Sequence, residues 1–81
     1  MELAATLKRL RLKSHKSIYE LAKLSGLDPA FIGRIEAGTR GASRETVLRL
    51  AFALVYNCDA ITLHDIDGLL QDAEHAPLVR V

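Results

Sequence analysis

The sequence has few of the residues that build cross-links, metal sites or membrane spans: one cysteine, two prolines, four aromatic residues and no tryptophan in 81 residues. The lone Cys58 excludes an intrachain disulfide, and neither a second cysteine nor spaced histidines complete a zinc site. No apolar run approaches the roughly 20 residues of a membrane span, and basic residues from Lys8 onward interrupt any signal peptide. No phosphate-binding glycine loop or nucleophile motif occurs. We therefore expect a cytoplasmic, non-enzymatic chain that uses no metal, no cofactor, no small-molecule substrate and no membrane.

The charges are present in near balance, with a net charge of +1, but they are unevenly distributed. Residues 1–49 hold ten basic and five acidic residues, a net charge of +5. Residues 50–81 hold one basic and five acidic residues, a net charge of −4. A basic front and an acidic back suit a protein that presents one face to a polyanion. The alternative is a solvated surface on which charges cluster by chance.

Helical periodicity occurs five times and strand signals are almost absent, which predicts an all-α domain. The predicted helices span about 2–13, 18–24, 29–37, 44–56 and 63–73. Ser17 and Glu20 have the spacing of a capping box, and Gly26 can turn the chain sharply after the second helix. Asp28 followed by Pro29 opens the third helix, because Asp caps well and Pro fits the first helical position. Ser43 caps the fourth helix, and Thr62 with Asp65 forms a weaker cap for the fifth.

Three stretches carry a resemblance to a known family: "LKRLR", "SIYELAKLSGLDPAFIGRIEAGTR" and "SRETVLRLAFAL". Over roughly residues 3–70 the chain resembles the Cro/C1-type (XRE family) helix-turn-helix regulators of phages and bacteria. The resemblance implies a five-helix, lambda-repressor-like DNA-binding domain with the helix-turn-helix at helices 2 and 3. It also implies a transcriptional regulator, such as a repressor, that binds double-stranded DNA as a homodimer. Helix 3 (residues 29–37) would lie in the major groove of a palindromic operator. We assign residues 1–74 to this domain and residues 75–81 to a tail, either a short strand or disordered.

The outer face of the third helix follows from helical geometry. Ile32 and Ile35 mark its buried side, so Ala30, Gly33, Arg34 and Ala37 face outward. The resemblance places base contacts at Pro29, Ala30, Gly33 and Arg34, of which only Arg34 can make a bidentate contact with guanine. We expect contacts to the DNA backbone from residues at the edges of the motif: Lys16, Ser17, Ile18, Tyr19, Phe31, Thr39, Arg40, Ser43 and Arg44.

The resemblance also matches Arg11 and Glu36 to an ion pair that ties the third helix to the first helix. We expect this pair to be partly buried, so that Arg11→Ala destabilises the domain more than Lys8→Ala.

Two alternatives concern partners. A surplus of apolar residues in helices 4 and 5 predicts an isologous dimer patch: Phe52, Val55, Tyr56, Ile66, Leu69 and Leu70. The alternative is that helix 5 simply closes the core.

The small residues Ala30, Gly33 and Ala37 also suit close approach of another protein. The second functional hypothesis is therefore a protein-interaction module, such as an antitoxin-like partner of a regulatory protein, with weak or no DNA binding.

Overall fold

Five α-helices and no strand make up the secondary structure of residues 2–74, the part of the chain that this computed structural model describes. The all-α, five-helix prediction is confirmed for these residues. The expected C-terminal tail, residues 75–81, lies outside the described residues. The helices are α1 (Glu2–Lys13), α2 (Ile18–Ser25), α3 (Pro29–Glu36), α4 (Arg44–Val55) and α5 (Leu63–Glu74).

Helices α2 to α5 begin at residues whose side chains bind the free amides of the first turn. At α2 the Glu20 amide donates to the Ser17 hydroxyl at 3.0 Å, and the Ser17 amide donates to the Glu20 carboxylate at 2.8 Å. At α3 the Ala30 amide donates to Asp28, and Pro29 occupies the first turn. The start of α5 has the same reciprocal arrangement as that of α2, with Thr62 and Asp65 bonded to each other twice at 3.1 Å.

The chain leaves α2 and α3 through glycines in the left-handed region, Gly26 with φ 76° and Gly38 with φ 81°. These two positions favour glycine because a Cβ there is sterically disfavoured. The end of α1 has the same geometry at His15, with φ 59°. The His15 amide donates to the Leu12 carbonyl and the Lys16 amide to the Arg11 carbonyl, which is the bonding pattern of a Schellman motif.

One apolar core joins all five helices. α1 packs on α3 and α5, α4 packs on α2 and α5, and α2 packs on α3. The largest completely buried side chains come from every helix: Leu7, Leu10, Leu21, Ile32, Ile35, Val47, Leu50, Leu54 and Leu69. Eight of these nine residues lie on α1 to α4, and Leu69 lies on α5.

The core corrects the dimer prediction for α5. Leu69 is completely buried, so no partner can reach it without unfolding the domain. Ile66 and Leu70 are partly buried and pack against the same core. These three residues pack into the core of the monomer and do not form an exposed patch. Their burial favours the alternative that helix 5 closes the core.

Polar contacts attach α5 to α1 at both ends. The Thr6 hydroxyl donates to the Asp72 carboxylate, and the Lys13 ammonium lies 2.8 Å from the Asp65 carboxylate. The hydrogen bond from Lys13, with further bonds from Thr62, lowers the pKa of Asp65 to about 2. None of the helices within residues 2–74 has the length and apolarity to cross a membrane.

Candidate nucleic-acid interface

The turn between α2 and α3 presents one side of α3 to solvent. Leu21 and Ala22 of α2 are buried against the core, and the small side chain of Ala22 suits the close packing of α2 on α3. Ile32 and Ile35 hold the inner face of α3 completely out of solvent. Since α3 packs on α1 and α2, its opposite side is left uncovered.

The uncovered side of α3 consists of small residues and one long cation. Ala30, Arg34 and Ala37 are exposed, and Pro29 and Gly33 are partly exposed. Apart from its chain neighbours and the backbone of α3 itself, no atom lies within 4 Å of the place where a Cβ on Gly33 would stand. We call these five residues the α3 outer strip. Its chemistry is that of a smooth surface on which the Arg34 guanidinium is the sole group able to form several hydrogen bonds.

Within residues 2–74 the Arg34 side chain has neither a hydrogen bond nor an ion pair, so its donors are available to an external acceptor. Its backbone carbonyl, by contrast, accepts bonds from the amide and the hydroxyl of Thr39. The Thr39 proton that a phosphate contact would use is therefore engaged in capping α3.

Arg11 and Glu36, which the sequence predicts to pair, lie in contact between α1 and the last turn of α3. The Arg11 Nε donates to Glu36 Oε2 at 2.6 Å and its Nη2 donates to Oε1 at 3.1 Å, a bidentate geometry. The side chains retain only 12% and 7% of their exposure. The remaining nitrogen donates to the Lys16 carbonyl at 3.0 Å. Arg11 thus holds both α3 and the α1–α2 turn in place.

Phe31 and Arg40 are in contact at the flank of α3. The Arg40 guanidinium lies 5.0 Å from the centroid of the Phe31 ring, within cation–π range. Phe31 is partly buried and packs on the core, whereas Arg40 is exposed. The ring therefore keeps the Arg40 charge beside α3. Composition and periodicity carry no signal for this contact, since it depends on the path of the α3–α4 loop.

The start of α2 offers fewer phosphate ligands than the sequence predicts. The Ser17 amide donates to the Glu20 carboxylate, which also adds a negative charge. The Ser17 hydroxyl accepts from the Glu20 amide, so its proton remains a candidate donor. Ile18 is partly buried on the core, so only its backbone amide remains as a candidate donor. Tyr19 is 74% exposed and keeps both its amide and its phenol as candidates.

Two further predicted ligands are occupied within the protein. The Lys16 ammonium donates to the carbonyls of Tyr56 at 2.8 Å and Leu54 at 3.3 Å, so it caps the C-terminus of α4. The Ser43 hydroxyl accepts from the Thr46 amide and donates to the Thr46 hydroxyl. Arg44 is exposed at the first residue of α4.

Two of the three remaining dimer candidates lie on α4, and the third, Tyr56, is its C-cap residue. Phe52, Val55 and Tyr56 are exposed, and the rings of Phe52 and Tyr56 stand 6.2 Å apart. They are separate from the α3 outer strip, because α4 packs on α2 and α5.

Comparison with known proteins places the motif in a family. The model of a family described as a helix-turn-helix domain matches residues 2–55, which comprise α1 to α4. No significant match was found among curated proteins or among solved structures.

Proposed function

The chain belongs to the helix-turn-helix domain family, and from this we propose that it is a sequence-specific DNA-binding transcriptional regulator of the Cro/C1 type (XRE family). The observation that carries the proposal is the uncovered α3 outer strip with the unpartnered Arg34 side chain at its centre. A dimer would place two copies of α3, with residues 29–37, in successive major-groove segments of a palindromic operator and so block or guide transcription.

Direct reading of bases rests on Arg34. Its guanidinium can donate two parallel hydrogen bonds to O6 and N7 of a guanine, worth about 1–3 kcal/mol of discrimination. Ala30 can contact a thymine methyl group, and Gly33 lets the helix backbone approach the base edges closely because no side chain intervenes. Pro29 lies at the leading edge of the same strip.

The rest of the affinity must come from the DNA backbone. Specific sites bind about 4–10 kcal/mol more tightly than non-specific DNA, of which one arginine in each of two half-sites supplies about 2–6 kcal/mol. Arg40, held by Phe31, is the strongest phosphate candidate, joined by the amides of Ile18 and Tyr19, and Arg44 remains a candidate at the start of α4. Lys16, Thr39 and Ser43 become secondary candidates, because their side-chain donors already serve the protein's own helix ends. Ser17 keeps its hydroxyl proton as a donor, because only its amide donates to Glu20.

The alternative keeps the α3 outer strip but changes its partner. Ala30, Gly33 and Ala37 leave room for another helix, and the open space above Gly33 favours close packing. The protein would then be an interaction module, such as an antitoxin-like partner, with weak or no DNA binding.

Salt dependence separates the two functions. Fluorescence anisotropy of the full chain with labelled DNA from upstream of its own gene, at about 50 mM and about 200 mM salt, measures the phosphate contribution. Six phosphate contacts predict a loss of affinity of about a thousandfold between these conditions. If the α3 outer strip instead binds another protein, the anisotropy shows weak or no DNA binding at either salt concentration.

Arg34→Ala tests the base contact. We expect affinity for the specific site to fall by about 5- to 150-fold while non-specific binding changes little. Arg9→Ala is the matched control, since Arg9 is an exposed arginine on α1, outside the α3 outer strip. Absence of salt-sensitive binding in every condition would overturn the proposal.

A further inference from the structure

The C-terminal turn of α4 has no basic residue of its own, and the helix ends at Val55 with Tyr56 as its C-cap. The last carbonyls of a helix carry a partial negative charge and have no partner within the helix. The Cys58 amide donates to the Val55 carbonyl. The carbonyls on either side, those of Leu54 and Tyr56, receive their donor from another part of the chain.

Lys16 supplies this donor from the turn between α1 and α2. Its ammonium nitrogen lies 2.8 Å from the Tyr56 carbonyl oxygen and 3.3 Å from the Leu54 carbonyl oxygen. The helix dipole favours a cation at this end, and an ammonium group can donate to both carbonyls at once. The side chain of Lys16 is therefore anchored to the end of α4.

The main chain of Lys16 is bonded to Arg11. The Lys16 amide donates to the Arg11 carbonyl at 3.3 Å, and the Lys16 carbonyl accepts from the Arg11 guanidinium at 3.0 Å. The other two nitrogens of that guanidinium donate to Glu36, the last residue of α3. A continuous series of hydrogen bonds thus runs from the end of α4, through Lys16 and Arg11, to the end of α3.

Lys16 also directly precedes the start of α2. Its neighbour Ser17 is the N-cap of that helix, and the amides of Ile18 and Tyr19 that follow are candidate phosphate donors. Because the side chain of Lys16 is bonded to α4, it restrains the direction in which these amides point. One residue therefore contacts the supports of two parts of the candidate interface, the start of α2 and the end of α3.

We propose that Lys16 is a positioning residue for DNA binding, which orients the start of α2 and the end of α3 and does not itself bind a phosphate. The inference rests on the proposed function, because it takes DNA as the partner of this surface. It replaces the phosphate contact expected of Lys16 with a different role. An ammonium that is bonded to helix carbonyls acts through geometry, whereas a phosphate ligand releases counterions from the DNA.

Lys16→Met tests this role, because methionine removes the ammonium and keeps an apolar side chain of similar length. In the anisotropy measurement with the same labelled DNA, we expect affinity to fall by about 2- to 30-fold. The slope of log affinity against log salt should stay unchanged, since no phosphate contact is lost. Lys8→Met is the matched control, because it removes an exposed lysine of α1 and should change neither affinity nor slope.

Arg40→Met provides the contrasting result in the same measurement. Arg40 is the strongest phosphate candidate, so its loss should reduce the steepness of the salt dependence by about 0.9 for each contact removed. A comparison of Lys16→Met with Arg40→Met thus distinguishes a residue that orients the surface from one that binds the phosphate.

Amide hydrogen exchange without DNA provides a second measurement. In Lys16→Met we expect faster exchange of the Leu21 amide in α2 and of the Ala37 amide at the end of α3, since both are bonded to helix carbonyls near the lost anchor. The Val47 amide has the same position in α4 as the Leu21 amide has in α2, four residues after the N-cap, and should exchange as in the natural chain. A purely structural role would speed exchange at all three amides together, because it would lower the free energy of global unfolding.

Three results would overturn the proposal. They are an unchanged affinity in Lys16→Met, a slope that falls by about 0.9 as for a phosphate ligand, and an equal rise of exchange at Leu21, Ala37 and Val47. If the natural chain does not bind DNA, the proposed function fails, and the exchange pattern then decides by itself whether Lys16 orients these two helix ends.

Discussion

The ion pair between Arg11 and Glu36 allows a quantitative prediction about stability. Replacing Arg11 with alanine removes three hydrogen bonds and leaves the Glu36 carboxylate, whose side chain is 7% exposed, without its cation. Breaking a buried pair by deleting one partner costs about 3–5 kcal/mol. Because the arginine retains 12% exposure, we expect the lower end, about 3 kcal/mol.

That loss is large for a domain of this size. An 81-residue domain has a free energy of unfolding of about 4–12 kcal/mol. A change of about 3 kcal/mol should lower the melting temperature by about 12–24 °C. Lys8→Ala is the matched control, because Lys8 is an exposed cation one turn earlier on α1 and should change the unfolding free energy by less than about 0.5 kcal/mol.

Thermal and urea unfolding of the two variants provide the test. The double variant Arg11→Ala with Glu36→Ala should be less destabilised than the sum of the single variants, with a coupling of about 1–3 kcal/mol. Equal melting temperatures for Arg11→Ala and Lys8→Ala would refute the reasoning. Strict additivity in the double variant would refute it as well.

Two further predictions concern helix glycines and pH. Gly68→Ala should stabilise the domain by about 1 kcal/mol, since the added Cβ meets no atom within 4 Å beyond its chain neighbours and the backbone of α5. Gly26→Ala should destabilise the domain by a similar amount, because the φ of Gly26 is 76°. Melting temperatures that shift in the same direction for both variants would contradict this. The lowered pKa of Asp65, about 2, means that its ionised form stabilises the fold above pH 4 and that this contribution is lost as the pH falls from about 4 to about 2. Asp65→Asn should therefore be less stable than the natural chain at pH 7, with the difference shrinking over that range; a constant difference in urea unfolding would contradict the assignment.

The helix boundaries could be predicted from the sequence because their causes are local. Ser17 bonds a residue three positions away, Asp28 bonds the amide of Ala30, and Thr62 bonds Asp65. Each donor and acceptor is brought together by a single helical turn, so the order of residue types is sufficient. The outward face of α3 follows from the same local geometry once its apolar residues are placed inside.

The contacts that join distant parts of the chain required the tertiary structure. Lys16 is a basic residue beside a helix start, which predicts a phosphate ligand, yet it caps α4 some 40 residues away. Nothing near Lys16 in the sequence indicates this carbonyl partner. The stacking of Arg40 on Phe31 likewise depends on how one loop returns to the flank of α3.

Burial of the apolar surplus in α4 and α5 was also decided by tertiary packing. Leu69 and Phe52 are both apolar residues on amphipathic helices, but one is completely buried and the other is 59% exposed. A helix with apolar residues on more than one side does not itself determine which side its neighbours will cover. The sequence by itself determined where the helices begin and end and which residues α3 presents. Only the packing of α5 against α1 and α4 decided that Leu69 closes the core and that Phe52 of α4 is left exposed, because coverage depends on elements far apart in the chain.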